Sequence, residues 1–301
     1  MQQTPINLIE FQQKFATEEA CQKHLFHLRW PEGYRCPRCG HDKASFHSTR
    51  TLYQCKACKY QASLTAGTIF HKTRTPLKKW FWMIFLMARQ KSGISMLSLQ
   101  RMLEIGSYKT VWAMGHKIRK AMAERDANYK LAGLIEIDDT YFGSSKPGKR
   151  GRGAEGKGKV VVAVEVDDDK PGFATMKQVE NLGGDQISQS LGDKLGEEAE
   201  ILTDGWRSYR SLNSDTIKHY PVVIGSGKNA IKVLPWVHTL IANVKGTIHG
   251  VYHGVSTRHL SRYIAEFCYR FNRRFWESQM FDPLLIACLS STTITFAELR
   301  E

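Results

Sequence analysis

Leu134-Ile135-Glu136-Ile137-Asp138-Asp139-Thr140-Tyr141-Phe142-Gly143 is a short apolar run that ends in two acids, three more residues of strand character and a glycine. Its composition and period read as a β-strand. On a strand, neighbouring side chains point to opposite faces, so Asp138 shares a face with Glu136 and Thr140 while Asp139 points away. A second apolar run, Ile201-Leu202-Thr203, closes on Asp204-Gly205-Trp206, and a third acid, Glu266, lies in the strongly periodic Tyr263-Ile264-Ala265-Glu266-Phe267-Cys268-Tyr269-Arg270-Phe271-Asn272-Arg273-Arg274. Carboxylates gathered from separate elements repel one another, so a fold keeps such a cluster mainly where divalent cations neutralise it. Two hard cations about 3.5–4 Å apart on oxygen ligands are the usual apparatus for in-line attack on phosphodiesters. With a formal net charge of +14, the natural phosphodiester partner is nucleic acid.

Working outward, residues 134–142, 160–166, 174–180 and 200–203 read as strands. Residues 185–195 read as a helix before the fourth strand, and residues 256–275 as a late helix. Three strands, a helix, a strand with an acid at its end and a helix carrying a third acid make the pattern of an α/β, RNase H-like core. Between the first two strands, residues 146–159 hold six cations (Lys146, Lys149, Arg150, Arg152, Lys157 and Lys159), one acid and five glycines. Such a segment is either a solvated loop or an arm that orders on phosphates, and a place beside the carboxylates favours the second.

Each acid also has a plainer reading. Asp-Gly is a common turn dipeptide, which would account for Asp204. On a helical wheel at about 100° per residue, Ile264, Phe267, Cys268, Phe271 and Phe275 form one face, and Glu266 and Arg273 fall within about 20° of each other opposite it. Asn272 projects roughly 120° away from Glu266. A solvated face with a Glu266–Arg270 ion pair is the alternative, and composition leaves both open.

Four of the seven cysteines form two pairs, Cys36-Pro37-Arg38-Cys39 and Cys55-Lys56-Ala57-Cys58, fifteen residues apart. Two Cys-x2-Cys turns on facing hairpins complete a tetrahedron of thiolates, so these four predict a structural Zn2+ in a zinc ribbon. Two disulfides are the alternative, disfavoured in an intracellular chain. After the ribbon, Pro76 opens a helical run in which Trp80, Phe81, Ile84, Phe85 and Ala88 recur at helical spacing. Residues 95–104 and 107–124 then read as two helices broken near Gly106, the second bearing Lys109, Lys117, Arg119 and Lys120. This resembles a helix-turn-helix with Lys117, Arg119 and Lys120 toward DNA; a small helical bundle with solvated cations is the alternative.

At 301 residues, 42% hydrophobic and 24% charged, the chain has the totals of a soluble globular protein. Its longest apolar stretch, residues 80–88, is half of what a bilayer requires and reads as a buried helix, so no membrane partner is expected. The first ten residues show no secretory pattern, which points to the cytoplasm. The expected division is residues 1–70 for an N-terminal helix and the zinc ribbon, 71–130 for the helical DNA-binding segment, and 131–301 for the catalytic domain.

These motifs resemble the bacterial insertion-sequence transposases of family 1595, the ISXO type, in the DDE superfamily. The resemblance rests on Glu136-Ile137-Asp138-Asp139-Thr140-Tyr141, Thr203-Asp204-Gly205-Trp206, Val237-His238-Thr239-Leu240-Ile241-Ala242-Asn243-Val244-Lys245, His253-Gly254-Val255-Ser256 and the block from Glu266 to Arg274, together with the ribbon. It implies a catalytic triad of Asp138, Asp204 and Glu266 holding two Mg2+ or Mn2+ ions, with Arg273 as the basic residue seven positions on. The implied partners are double-stranded DNA at transposon ends and target, and further copies of the chain on that DNA, within the nucleoid. The chain departs from the family pattern at Ala265, where a second acid is expected, and at Asp139, where Glu is frequent.

Overall fold

The computed structural model describes residues 5–143, 156–222 and 232–300. The chain forms two compact units. The first takes Met1–Gln90, Met96–Glu124 and Phe275–Glu301, and the second takes Lys91–Ser95 and Arg125–Arg274.

The first unit begins with α1 (Leu8–Lys14), held by a capping box in which Asn7 Oδ1 accepts from the N–H of Ile9 and Glu10 and Glu10 returns a carboxylate to the Asn7 N–H. α2 (Glu18–Arg29) leads to a three-stranded antiparallel ribbon of β1 (Ala44–His47), β2 (Leu52–Cys55) and β3 (Gln61–Ser63). α3 (Leu77–Arg89) follows. Its first N–H groups, on Leu77 and Lys78, donate to the Glu18 carboxylate at 2.8 and 3.0 Å, an acid from α2 serving as the cap that Pro76 cannot supply. Trp80, Phe81, Met83, Ile84, Phe85 and Met87 are all buried, so α3 is apolar nearly all round and forms the heart of this unit. Phe11 stacks on Phe85 at 4.1 Å and meets Phe281 edge-on at 5.0 Å. α4 (Met96–Met102) and α5 (Tyr108–Asp126) stand where the helix-turn-helix-like pair was expected. The last helix, α9 (Phe281–Ser290), packs on α3 and α2, because its buried Phe281, Leu284 and Leu285 complete the aromatic core there.

In the second unit, β4 (Leu134–Phe142), β5 (Gly158–Asp167), β6 (Lys170–Val179), β7 (Glu200–Thr203) and β8 (Lys218–Pro221) form one sheet in the order β6-β5-β4-β7-β8. β5 runs antiparallel to its neighbours, and β7 and β8 run parallel to β4. Three consecutive antiparallel strands extended by two parallel ones, with helices on both faces, is the RNase H-like α/β fold that the sequence predicts. Two strands match the expected spans, while β5 and β6 begin earlier than expected. β8 and α7 (Pro235–Gly250) were not read from the residue pattern, and α8 (Thr257–Phe271) stops four residues short of the expected helix.

The sheet buries a core on each face. Val160, Val162 and Val164 of β5 pack under α7 and α8, whereas Val161 and Ala163 pack with Ile135 and Ile137 of β4 against α6 (Gly184–Leu191). The alternation of β4 therefore turns Glu136 and Asp138 toward the face that carries α7 and α8. Among the described residues, no helix is long and apolar enough to cross a membrane.

Candidate active site

The parallel register pairs Leu134 with Glu200, Ile135 with Ile201 and Glu136 with Leu202. Two residues further, the same register leads to Asp138 and Asp204, where neighbouring strands part. Gly205, at φ +79°, lets the chain turn away directly after the acid, and Asp204 Oδ1 closes that turn by accepting from the Trp206 N–H at 3.0 Å. Asp138 Oδ1 accepts from the Asp139 N–H at 2.8 Å. Asp139 itself serves the other face, where the Tyr209 hydroxyl donates to it at 3.2 Å.

What stands over these acids is α7, and a buried carboxylate puts it there. Glu136, 3% exposed, accepts the N–H groups of Trp236 and Val237 through Oε2, both at 2.8 Å. Pro235 at the first helical turn needs no such partner. Burial holds the Glu136 carboxyl above its ordinary value, and these two N–H bonds offset only part of the rise. The next residue, His238, brings Nδ1 to 3.6 Å from Asp138 Oδ2. Burial holds its imidazole below the ordinary value, against the pull of the Asp204 carboxylate, which raises it. A neutral imidazole is the form that ligates metal. Seven residues on, Lys245 falls on the same side of α7. Burial lowers its ammonium, Asp138 raises it and Lys157 lowers it. Asp138, Asp204, His238 and Lys245 thus share one field, with Asp138 14% and His238 26% exposed at the side chain.

Glu266, the third acid expected beside them, is engaged on its own helix. It is completely buried, ion-paired with Arg270 one turn along, and it accepts the Tyr252 hydroxyl at 2.9 Å. The cause is position in the sheet: α8, which carries Glu266, packs on β6 at the far edge, whereas α7 packs on β4 and β5. Arg273 is likewise committed elsewhere. Its guanidinium binds Asp126 at 2.7 Å and lies 3.8 Å over the Tyr269 ring. Asn272 clamps β6, accepting from the Ala174 N–H at 2.8 Å and donating to the Ala174 carbonyl at 3.0 Å.

The cations expected to meet DNA fare unevenly. Lys146, Lys149, Arg150 and Arg152 lie outside the described residues. Lys157 is half-buried at the end of that segment, and Lys159 donates to the Glu180 carbonyl at 2.8 Å. On α5, Arg119 is completely buried, so it cannot touch DNA: its place among Val111, Ile118 and Met122 turns it into the core. Lys120 is held by Glu124 at 2.7 Å and by Thr292. Lys117 is half-buried and, among the described residues, has no such tie.

Cys36, Cys39, Cys55 and Cys58 bring their sulfurs within 4.8 Å of one another, with Cys36–Cys58 and Cys39–Cys55 both at 3.6 Å. A tetrahedron with Zn–S bonds of about 2.3 Å has edges of about 3.8 Å, so the quartet fits Zn2+. All four thiols are free rather than paired as disulfides. The two knuckles repeat one another: Gly40 and Lys59, each four residues after the first cysteine of its pair, take φ of +73° and +60° and donate their N–H to that cysteine's carbonyl. Burial raises the Cys36 thiol, but the N–H groups of Cys39 and Arg38 outweigh it and bring it down to about 6. Cys39→Ser should release the metal and unfold residues 30–65, because apparent Zn2+ energies at such sites, about 10–16 kcal/mol, are folding energy. Zinc content and ribbon signals in a two-dimensional NMR spectrum check this.

The residue pattern missed His238 and Lys245 as site residues. The available signal was their spacing of seven, on the side of α7 not taken by Val237, Leu240, Ile241, Val244 and Ile248.

Residues 130–272 match the family model of the ISXO2-like transposase domain, and residues 16–61 match that of the transposase zinc-ribbon domain. An uncharacterised protein in transposable element ISH50 of Halobacterium salinarum is 26% identical over 218 residues, 67% of this chain and 72% of its own length. A chain of a pre-cleavage Mos1 transpososome overlaps 70% of this chain and 79% of its own at 11% identity and a TM-score of 0.26. A Mos1 mariner paired-end complex with Mn overlaps 63% and 76% at 13% identity and a TM-score of 0.24. Overlaps this loose carry no weight for the site.

Proposed function

We propose, on the premise that the chain carries the transposase domain and the zinc ribbon of the IS1595 insertion sequences, that it cuts DNA at the terminal inverted repeats of its element and joins the freed 3′-hydroxyls to target DNA. The observation that supports this most is the placing of Asp138 and Asp204 just beyond the paired ends of adjacent parallel strands, with His238 of α7 at 3.6 Å from Asp138; among the described residues the three do not yet close to metal-ligand spacing as the four cysteines do. The two carboxylates are hard oxygen donors that suit Mg2+ or Mn2+, and the neutral imidazole adds a borderline nitrogen donor that favours Mn2+ of the two. A divalent cation bound there would supply a lowered water pKa and a positive charge for the phosphate. In this reading His238 takes the third position that the resemblance gave to Glu266.

In the first step a water oxygen bonds to phosphorus and the bond to the 3′-oxygen breaks, leaving a 3′-hydroxyl and a 5′-phosphate. In the second, that 3′-oxygen attacks a target phosphate and displaces the target's own 3′-oxygen. Lys245 sets an ammonium beside Asp138, where it meets a phosphate oxygen drawn to the acids. Glu136 holds α7, and so His238, in place over the strand. The protein would work as a homo-oligomer on double-stranded DNA, in the cytoplasm at the nucleoid. We keep the division of labour among residues 1–70, 71–130 and 131–301 as part of this proposal, with residues 275–301 lending their helix to the first unit.

The test is incubation with DNA carrying the element's ends, with Mg2+ or Mn2+, mapping both nicks and joints; nicks without joints would reduce the reading to a nuclease. The basic segment is part of the proposal too. Neutralising Lys149, Arg150 and Arg152 together should weaken binding to cognate and random DNA alike. It should also flatten the salt dependence by about 0.9 for each phosphate that the segment neutralises in the wild type. Filter binding across a salt series measures it.

A further inference from the structure

The first unit contains a cleft of about 570 Å3 between the start of α3, the turn joining α4 to α5, and the first turns of α5. It falls in residues that neither family model matches, apart from Phe296 entirely between them. Four cations line it, Arg74, Lys79, Lys109 and Lys117, against one acid, Glu104. Glu104 presents its backbone carbonyl to Lys79 Nζ at 2.8 Å. Among the described residues, none of the four cations forms an ion pair.

Thr75, Ser107 and Thr110 add hydroxyls to the lining, together with the buried Trp80, Ile105 and Met114. The indole N–H of Trp80 is tied to Thr73 Oγ1 at 2.9 Å, so the ring is a fixed surface. Lys109 and Lys117 are eight residues apart on α5, about 12 Å along its axis. That separation suits several phosphates of one strand better than a single small anion. Lys117 is half-buried, and burial lowers its ammonium; an anion in the cleft would restore it.

We propose that this cleft holds the sugar–phosphate backbone of one DNA strand, with Arg74, Lys79, Lys109 and Lys117 on successive phosphates and the apolar lining against deoxyribose. The inference rests on the reading that the protein acts on DNA. It keeps Lys117 from the contact expected of α5 and replaces the other two residues, since Arg119 is in the core and Lys120 is engaged by Glu124 and Thr292.

The experiment measures binding of the full-length protein to duplex DNA against potassium chloride concentration, without Mg2+ or Mn2+. The slope of log Kobs against log salt is negative, and each phosphate that a side chain ceases to neutralise reduces its magnitude by about 0.9. Lys109→Gln/Lys117→Gln should therefore lower it by about 1.8 and weaken binding at least tenfold, for cognate and random sequences alike. Lys109→Arg/Lys117→Arg should keep the wild-type slope. Lys14→Gln/Lys23→Gln, with the same loss of charge outside the cleft, should also keep it. If the first variant loses zinc or melts early, Arg74→Gln/Lys109→Gln, both at exposed positions, is read in its place with the same expectation. An unchanged slope in the cleft variants, or an equal fall in Lys14→Gln/Lys23→Gln, overturns the proposal. A wild-type protein that binds no DNA overturns the transposase reading itself, whereas normal binding and cutting with an unchanged slope overturns the cleft alone.

Discussion

Asp138→Asn and Asp204→Asn will each lower DNA cleavage and joining at least about a thousandfold while leaving DNA affinity within about twofold. The two acids sit where β4 and β7 part, and both carboxylates accept a local N–H: Asp138 from Asp139, Asp204 from Trp206. Asn keeps the shape and the oxygen but removes the negative charge that draws a divalent cation. In the proposed reading DNA affinity rests mainly on cations outside the acid pair, so it should stand. Asp139→Asn should be mild, because Asp139 faces the opposite core and meets Tyr209. Quantifying nicked and joined products on labelled end DNA, alongside a binding titration, checks all three variants.

Glu266→Ala will destabilise the second unit by about 3–5 kcal/mol, the usual result of leaving a buried partner charge alone. Arg270 is 6% exposed and Glu266 completely buried, so neither can turn to water. For a unit of this size that loss lowers the melting temperature by roughly 6–20 °C. Glu266→Gln should cost less, since an amide oxygen still accepts the Tyr252 hydroxyl and the Arg270 guanidinium. Glu266→Met/Arg270→Met should recover much of the loss, because an apolar pair of similar volume leaves no charge behind. Thermal unfolding followed by circular dichroism separates the three. An inactive but unstable Glu266→Ala would thus say nothing of catalysis, and Glu266→Gln is the informative variant.

The strands that carry the aspartates were legible because their signal is local. Ile135 and Ile137 alternate with Glu136 and Asp138, and a period of two survives any rearrangement of neighbours. The zinc ribbon was legible for the same reason, since its four thiols sit at fixed spacings. The third site residue was not. His238 matters only because Glu136, a hundred residues earlier, captures the N–H groups of Trp236 and Val237 and so lays α7 over β4. No window of sequence contains both ends of that arrangement. The Glu266–Arg270 pair was legible as one of the two readings of that helix, but its burial was not, because a helical wheel finds one apolar face and treats the other as open. In the fold, Tyr269 and Arg270 are buried on that other side, and Gly93 approaches so closely that an added Cβ would lie 2.8 Å from the Tyr252 hydroxyl. Arg119 shows the same limit, since charge in a sequence does not reveal which side of a helix the core will claim.

The most direct measurement compares strand transfer by His238→Ala and Glu266→Gln on the same end DNA with Mn2+, after both have been shown to melt and bind DNA like the wild type. Assignment of the third position to His238 predicts that His238→Ala forms almost no joined product and that Glu266→Gln joins at close to the wild-type rate. Wild-type joining by His238→Ala together with loss of joining in a stably folded Glu266→Gln would contradict it, and would return Glu266 to the catalytic site.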